Sequence, residues 1–366
     1  MIALNDFGRQ WQVVAPRVLE AVARVGKSGR YILGAEVERF EAAIAKRFDV
    51  THAVGVGNGM DALEIALRCL DLRLGEKVLT TPLSAFATTL AIIRAGGVPV
   101  FVDVDDFGAL DLEKCRRLLE RDRSIRFLLP VHLYGFVLDL EKLLQLKNEF
   151  DLRVVEDCAQ AIGARAVGTV GQVNATSFYP TKNLGALGDG GALLTNDADI
   201  SRRASALRNY GQTSQYVHET LGLNSRLDEM HAAIMTDALL PELDAWTKAR
   251  REIASKYLAG ISNSAICLLR PPTETKPVWH LFPILVAAHK RDHFREHLRS
   301  CGIQTGVHYP RLIPEQSAMK SVKFEIEGAL TNSQKFSASE VSLPIHPFLS
   351  KTEIESIIDA CNAWQA

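Results

Sequence analysis

Four side chains of complementary chemistry lie close together between Val154 and Gly191. Asp157 ends the apolar run Arg153-Val-Val-Glu-Asp157, and Gln160 follows one turn later. Ser177 precedes Lys182 in Ser177-Phe-Tyr-Pro-Thr-Lys182-Asn183. Lys182 stands between a β-prone run and the glycine-rich Gly188-Asp-Gly-Gly191, so no long amphipathic helix carries it. A lone lysine is ordinarily a solvated surface cation, but this one has company. An amine can form a Schiff base, a carboxylate can hold a pyridinium nitrogen, and a hydroxyl can bind a phosphate. Those are the parts needed to hold pyridoxal phosphate.

A second anion-binding element lies upstream. Ala53-Val-Gly-Val-Gly-Asn-Gly-Met60-Asp61 reads as a short strand running through glycines into a helix. Backbone N–H groups at such a helix start, here those of Met60 and Asp61, favour an anion together with the helix dipole. A dinucleotide is the rival ligand, but the glycines fall at 55, 57 and 59 rather than in G-x-G-x-x-G. The next strand, Lys77-Val-Leu-Thr-Thr81, ends in Thr-Pro where that reading needs an acid. Six scattered cysteines form no CxxC and HExxH is absent, so no metal site is expected. Unpaired thiols and the lack of a signal-peptide start point to a reducing, cytoplasmic setting.

The spacing EDxAQxxGA, then SFxPTKN, then GDGG closely resembles the DegT/DnrJ/EryC1/StrS aminotransferases, which act mostly on nucleotide-linked keto sugars. The resemblance extends from about Gly29 to the C-terminus and includes Gly222-Leu-Asn224-Ser-Arg226 and Gly302-Ile, then His308-Tyr309-Pro310. It implies an α/β protein with the aspartate-aminotransferase-type (fold type I) architecture. Lys182 is then the catalytic amine, and Asp157 binds the pyridine nitrogen. Gln160 lies near the ring oxygen, while Ser177 and the Met60–Asp61 backbone hold the phosphate. Phe86 is the candidate for a ring stacked on the cofactor, with Ala85 the alternative register. Asn224 matches an asparagine that in this family reaches across a dimer interface to the neighbour's phosphate. A homodimer with shared active sites is therefore expected. Tyr134, His308 and Tyr309 are candidates for substrate contact. Met60 replaces the family's usual threonine, and Phe136 stands where glutamine commonly follows H-x-Y-G.

The activity implied is ping-pong transfer of an amino group from glutamate or glutamine to a nucleotide-linked keto sugar, in aminosugar pathways of lipopolysaccharide or antibiotic biosynthesis. A keto cyclitol is the alternative acceptor. Relatives that dehydrate sugars carry histidine at the position of Lys182. A non-catalytic regulatory homologue would have no need of Asp157, Gln160, Ser177 and Lys182 together.

The elements that must position these groups follow from periodicity. Apolar residues three or four apart predict helices over the first 28 residues and over Ala35–Phe48. From residue 50 to 195 strands and helices alternate, which predicts a large, mostly parallel sheet covered on both faces. A helix from Pro241 leads to a smaller C-terminal α/β domain, giving domains 1–245 and 246–366. In that domain Trp279–Val286 and Gly302–Pro310 read as strands. Charge is balanced, 42 basic against 43 acidic residues, so nucleic acid is not the expected partner. No apolar run approaches the length of a membrane span.

Overall fold

The computed structural model describes residues 1–164, 167–271 and 275–365. Its strands are β1 (His52–Val56), β2 (Lys77–Thr80), β3 (Val98–Val102), β4 (Phe127–Leu128), β5 (Arg153–Asp157), β6 (Val173–Ser177) and β7 (Gly191–Thr195). After these come β8 (Gln212–Ser214), β9 (Val217–His218), β10 (Cys267–Leu268), β11 (Phe282–Leu285), β12 (Glu325–Glu327) and β13 (Glu340–Leu343). Eight of them form one sheet in the order β1-β7-β6-β5-β4-β2-β3-β12. All neighbours from β6 to β12 run parallel, while β7 is antiparallel to both β6 and β1. Every residue of β3 and β7 is buried, which is what a sheet with helices on both faces requires. The carboxyl ends of β5 and β6 deliver Asp157 and Ser177 to one edge, where open α/β sheets carry their ligands.

A three-stranded antiparallel sheet, β10-β11-β13, forms in the C-terminal part. The helix Leu243–Gly260 runs through residue 245, and β12 pairs with β3 at the edge of the large sheet. One apolar cluster runs from Val56 and Phe127 through Tyr257 and Phe282 to Trp364, so the two sheets share a core. Asp103, just beyond β3, fastens the large sheet to the C-terminal part. Its buried carboxylate accepts the N–H groups of Asn332 and Ser333 at 3.1 and 2.8 Å, at the start of the helix Thr331–Ser339.

Two elements depart from the periodicity. Gly302–Pro310 is not a strand and makes only single bridges, Ile303 with Ile2 and Gly306 with Ser342. The His308 N–H goes to the Glu340 side chain instead of a ladder carbonyl, and Pro310 has no N–H to offer. The α-helical stretch Glu229–Ile234 widens into a π-turn over Met235–Leu239 instead of continuing with regular helical periodicity. Pro241, just beyond, removes the donor that a regular last turn would use.

Candidate active site

Successive residues of β5 face opposite ways, and this separates two adjacent carboxylates. Glu156 points into the body of the fold, where it accepts the N–H groups of Val170 and Gly171 and lies 2.9 Å from His132 Nε2. His132 Nδ1 in turn accepts the Leu138 N–H, so this buried histidine is fully used by the fold. Asp157 faces the site. Its Oδ2 accepts the Thr88 hydroxyl at 2.9 Å and its Oδ1 accepts the Ala159 N–H at 3.1 Å. Thr88 belongs to the helix Phe86–Arg94 that follows β2, and only its lack of an apolar side chain marks it in the sequence.

Lys182 follows β6 in a loop held by its own N–H to the Tyr179 carbonyl. The residue as a whole is half-buried, while its amine lies deep in the cleft. Burial pulls the amine down to about 8, and the charge of Asp157 opposes that shift. The two groups attract without touching. Among the described residues the amine has no ion-pair partner within 4.0 Å and no hydrogen-bond acceptor. Beside it lies His280, which the sequence reading did not single out. Burial first, and then the charges of Lys182 and Arg250, hold its imidazole neutral.

The phosphate end forms where the helix Gly59–Cys69 starts against β6. A Cβ on Gly59 would stand 2.5 Å from Ser177 Cβ, so only glycine lets this helix start approach so closely. Asn58 caps the helix, and its Oδ1 takes the Asp61 N–H at 2.8 Å. The backbone donor expected from Asp61 is thus engaged within the fold, while those of Gly59 and Met60 have no acceptor among the described residues. Asp61 itself is buried, with its carboxylate facing Arg94 and the Asn58 amide. Ser177 Oγ accepts the Tyr179 N–H at 3.2 Å, which leaves its proton free to donate outward.

The opposite wall is a chain of hydrogen bonds. The Tyr134 N–H donates to Gln160 Oε1 at 2.7 Å, and Gln160 Nε2 donates to the Tyr309 hydroxyl at 3.2 Å. The Tyr134 hydroxyl donates to the His308 carbonyl at 2.6 Å. Tyr134 is wholly buried and braces Gln160 against the 308–309 segment, whereas His308 and Tyr309 remain half-buried. Burial and the nearby Lys182 push the His308 imidazole down to about 4, so it is neutral.

A profile of the DegT/DnrJ/EryC1/StrS aminotransferase family matches residues 14–362. The chain belongs to this family. It is 42% identical to the dTDP-3-amino-3,4,6-trideoxy-alpha-D-glucose transaminase of Streptomyces venezuelae, over 94% of this chain and 91% of that protein. The crystal structure of S. venezuelae DesV in complex with a ketimine intermediate superposes with a TM-score of 0.93, at 40% identity over 100% of this chain and 98% of that one. NtdA from Bacillus subtilis, solved with bound cofactor PMP, gives a TM-score of 0.88 at 27% identity, over 95% of this chain and 81% of that one. The fold is that of the type I pyridoxal-phosphate aminotransferases, and pyridoxal phosphate is the cofactor of this aminotransferase.

The residues present fit that group. A buried amine without a partner faces a carboxylate that keeps acceptor capacity, and a glycine cradle with free backbone donors closes the far end beside Ser177. Phe86 opens the helix that carries Thr88, with Ala85 as its N-cap, and packs half-buried on Phe101, Ile313 and Met319. Met60 packs against the main core cluster, so the side chain that replaces the family's threonine adds apolar contact and no hydroxyl. Asn224 is exposed and accepts from Arg226. The adjacent Ser225 Oγ accepts the Gly57 N–H at 3.0 Å.

Proposed function

We propose that this aminotransferase moves an amino group from glutamate or glutamine to a keto sugar carried on a nucleotide, as a homodimer whose two sites each borrow Asn224 from the partner chain. The buried, unpaired amine of Lys182 opposite the Thr88-braced Asp157 is the observation that carries the reading. The cofactor, when bound, supplies an electron sink for charge that develops at the amino-bearing carbon. Lys182 holds it and then moves the proton at that carbon as a general acid–base, a task that suits an amine titrating near pH 8. Asp157 keeps the ring nitrogen protonated, and Thr88 fixes which carboxylate oxygen is presented. Ser177 and the N–H groups of Gly59 and Met60 bind the phosphate, with Asn224 of a second chain added. Gln160, held by Tyr134 and Tyr309, orients the ring. His308 and Tyr309 face the acceptor.

The substrate reading rests on likeness to the S. venezuelae transaminase, whose name specifies a 3-amino sugar on dTDP. Incubation with glutamate and a panel of nucleotide-linked 3-keto and 4-keto sugars, read by mass spectrometry, tests it. An amino sugar nucleotide is the expected product. Amination of a free keto cyclitol, with every nucleotide sugar left unchanged, would move the protein to the alternative acceptor class.

A further inference from the structure

The wall that carries His308 contains a buried carboxyl. Glu340 opens β13, is fully enclosed, and spends both oxygens on the site wall. Its Oε2 accepts the His308 N–H at 2.5 Å, and its Oε1 bonds the Ser342 hydroxyl. Ser342, also fully enclosed, places the same Oγ 2.9 Å from His308 Nδ1. The backbones are locked as well, since Gly306 and Ser342 exchange both N–H···O bonds. A Cβ on Gly306 would come within 2.7 Å of His308 Cε1, so the glycine makes room for the ring. His308 lines a cleft of about 100 Å³ with Thr181, Arg250 and His280, and its Nε2 has no partner among the described residues.

We propose that Glu340, Ser342 and His308 form a proton relay that sets whether His308 offers a hydrogen-bond donor or an acceptor to the cleft it lines with Thr181, Arg250 and His280. This rests on the reading that His308 faces the amino acceptor. The three-residue chain has two arrangements that satisfy every group. With Glu340 ionised, Ser342 donates to Oε1, His308 Nδ1–H donates to Ser342, and Nε2 presents a lone pair. With Glu340 protonated on Oε1, Glu340 donates to Ser342, Ser342 donates to Nδ1, and Nε2 carries the proton. Passing between them moves one proton from Glu340 to an acceptor at Nε2: Oε1–H to Oγ, Oγ–H to Nδ1, and Nε2–H to the cleft. No imidazolium forms on the way, which matters where burial and Lys182 disfavour it. An amino acceptor needs such a proton when its carbonyl oxygen leaves as water, and the reverse passage when water returns.

The surroundings leave Glu340 able to take either state. Among the described residues no cation pairs with it. Arg291 and Arg295, on the helix Arg291–Ser300, act on it only through their field. Tyr134 and Tyr309 face it from the cofactor side, and Lys182 and His280 face His308. Burial raises the carboxyl to about 8, against its bonds to Ser342 and the His308 N–H.

Holoenzyme carrying ¹⁵N-histidine, with His308 assigned by its absence in His308→Gln, gives a direct readout by NMR. The protonated ring nitrogen should change from Nε2 to Nδ1 as pH rises through about 8. In Glu340→Gln the amide accepts from the His308 N–H and donates to Ser342, which holds the proton on Nε2 at every pH. Ser342→Ala should lose the change by cutting the chain, with the cofactor absorbance of both variants retained. Loss of the change in Glu340→Gln assigns it to the carboxyl. A wild-type ring that keeps one tautomer from about pH 6 to about pH 10, or a Glu340→Gln ring that switches like wild type, overturns the relay. Neither readout needs a substrate, so a wrong acceptor class would leave this result standing.

Discussion

Thr88→Val removes one hydroxyl from the site and almost nothing else. Thr88 is 1% exposed, and its Oγ1 donates to Asp157 Oδ2 at 2.9 Å. Valine has nearly the same shape and the same β-branching, so the helix Phe86–Arg94 should form unchanged. A hydrogen bond to a charged group contributes roughly 1.5–3 kcal/mol, and its loss leaves Asp157 Oδ2 without this donor. If Thr88 acts by holding that carboxylate against the ring nitrogen, the loss falls on the transition state, where charge on the ring is greatest. The expected drop in kcat/KM is then about 10- to 150-fold at one decade per 1.36 kcal/mol. Thr88→Ser keeps the hydroxyl and should stay close to wild type. The assay is steady-state amination of the best acceptor from the panel, with cofactor content measured by absorbance in each variant. A Thr88→Val enzyme within about twofold of wild type would refute the reasoning, as would a serine variant as impaired as the valine one.

Capture of pyridoxal phosphate by the apoenzyme requires the neutral amine of Lys182. Burial lowers that amine to about 8, so the second-order rate should climb about tenfold per pH unit below that point and level off above it; a rate still climbing at about pH 10 would mean an ordinary, solvated lysine. His308→Ala should raise the KM for the acceptor or lower its rate while the cofactor spectrum is preserved, and loss of bound cofactor would place the ring against the cofactor instead. On the proposed shared site, Asn224→Asp would set a carboxylate against the partner chain's phosphate, so it and Lys182→Ala should each be inactive alone. Mixed after subunit exchange, about half the dimers are mixed and roughly a quarter of all sites recover. A mixture that exchanges subunits and stays inactive would confine Asn224 to its own chain.

Much of the site could be read directly because its residues sit at strand ends, where spacing and position in space coincide. Asp157 and Ser177 close adjacent parallel strands, so the motif that contains them also places them. Lys182 lies in the turn that follows. What escaped was carried by long-range packing. Thr88 looks no different from Thr89 beside it until that helix is set against β5. His280 and Glu340 come from the C-terminal part, and nothing local ties either to residues 157–182. Asp61 shows the reverse case. Its N–H was expected at the phosphate, but Asn58 reads equally well as a turn residue or an N-cap, and only the fold reveals that it caps. The failed strand at Gly302–Pro310 has the same origin. The apolar pattern there is strand-like, but a buried acid on β13 supplies the acceptor that a neighbouring strand would have offered.

Reduction of the purified protein with borohydride, followed by peptide mass spectrometry, tests the central claim most directly. Yellow protein that loses its visible absorbance on reduction is expected, with the cofactor's mass fixed on the peptide containing Lys182 and on no other. Cofactor fixed at a different lysine, or bound cofactor that borohydride leaves wholly exchangeable, would contradict the assignment of Lys182.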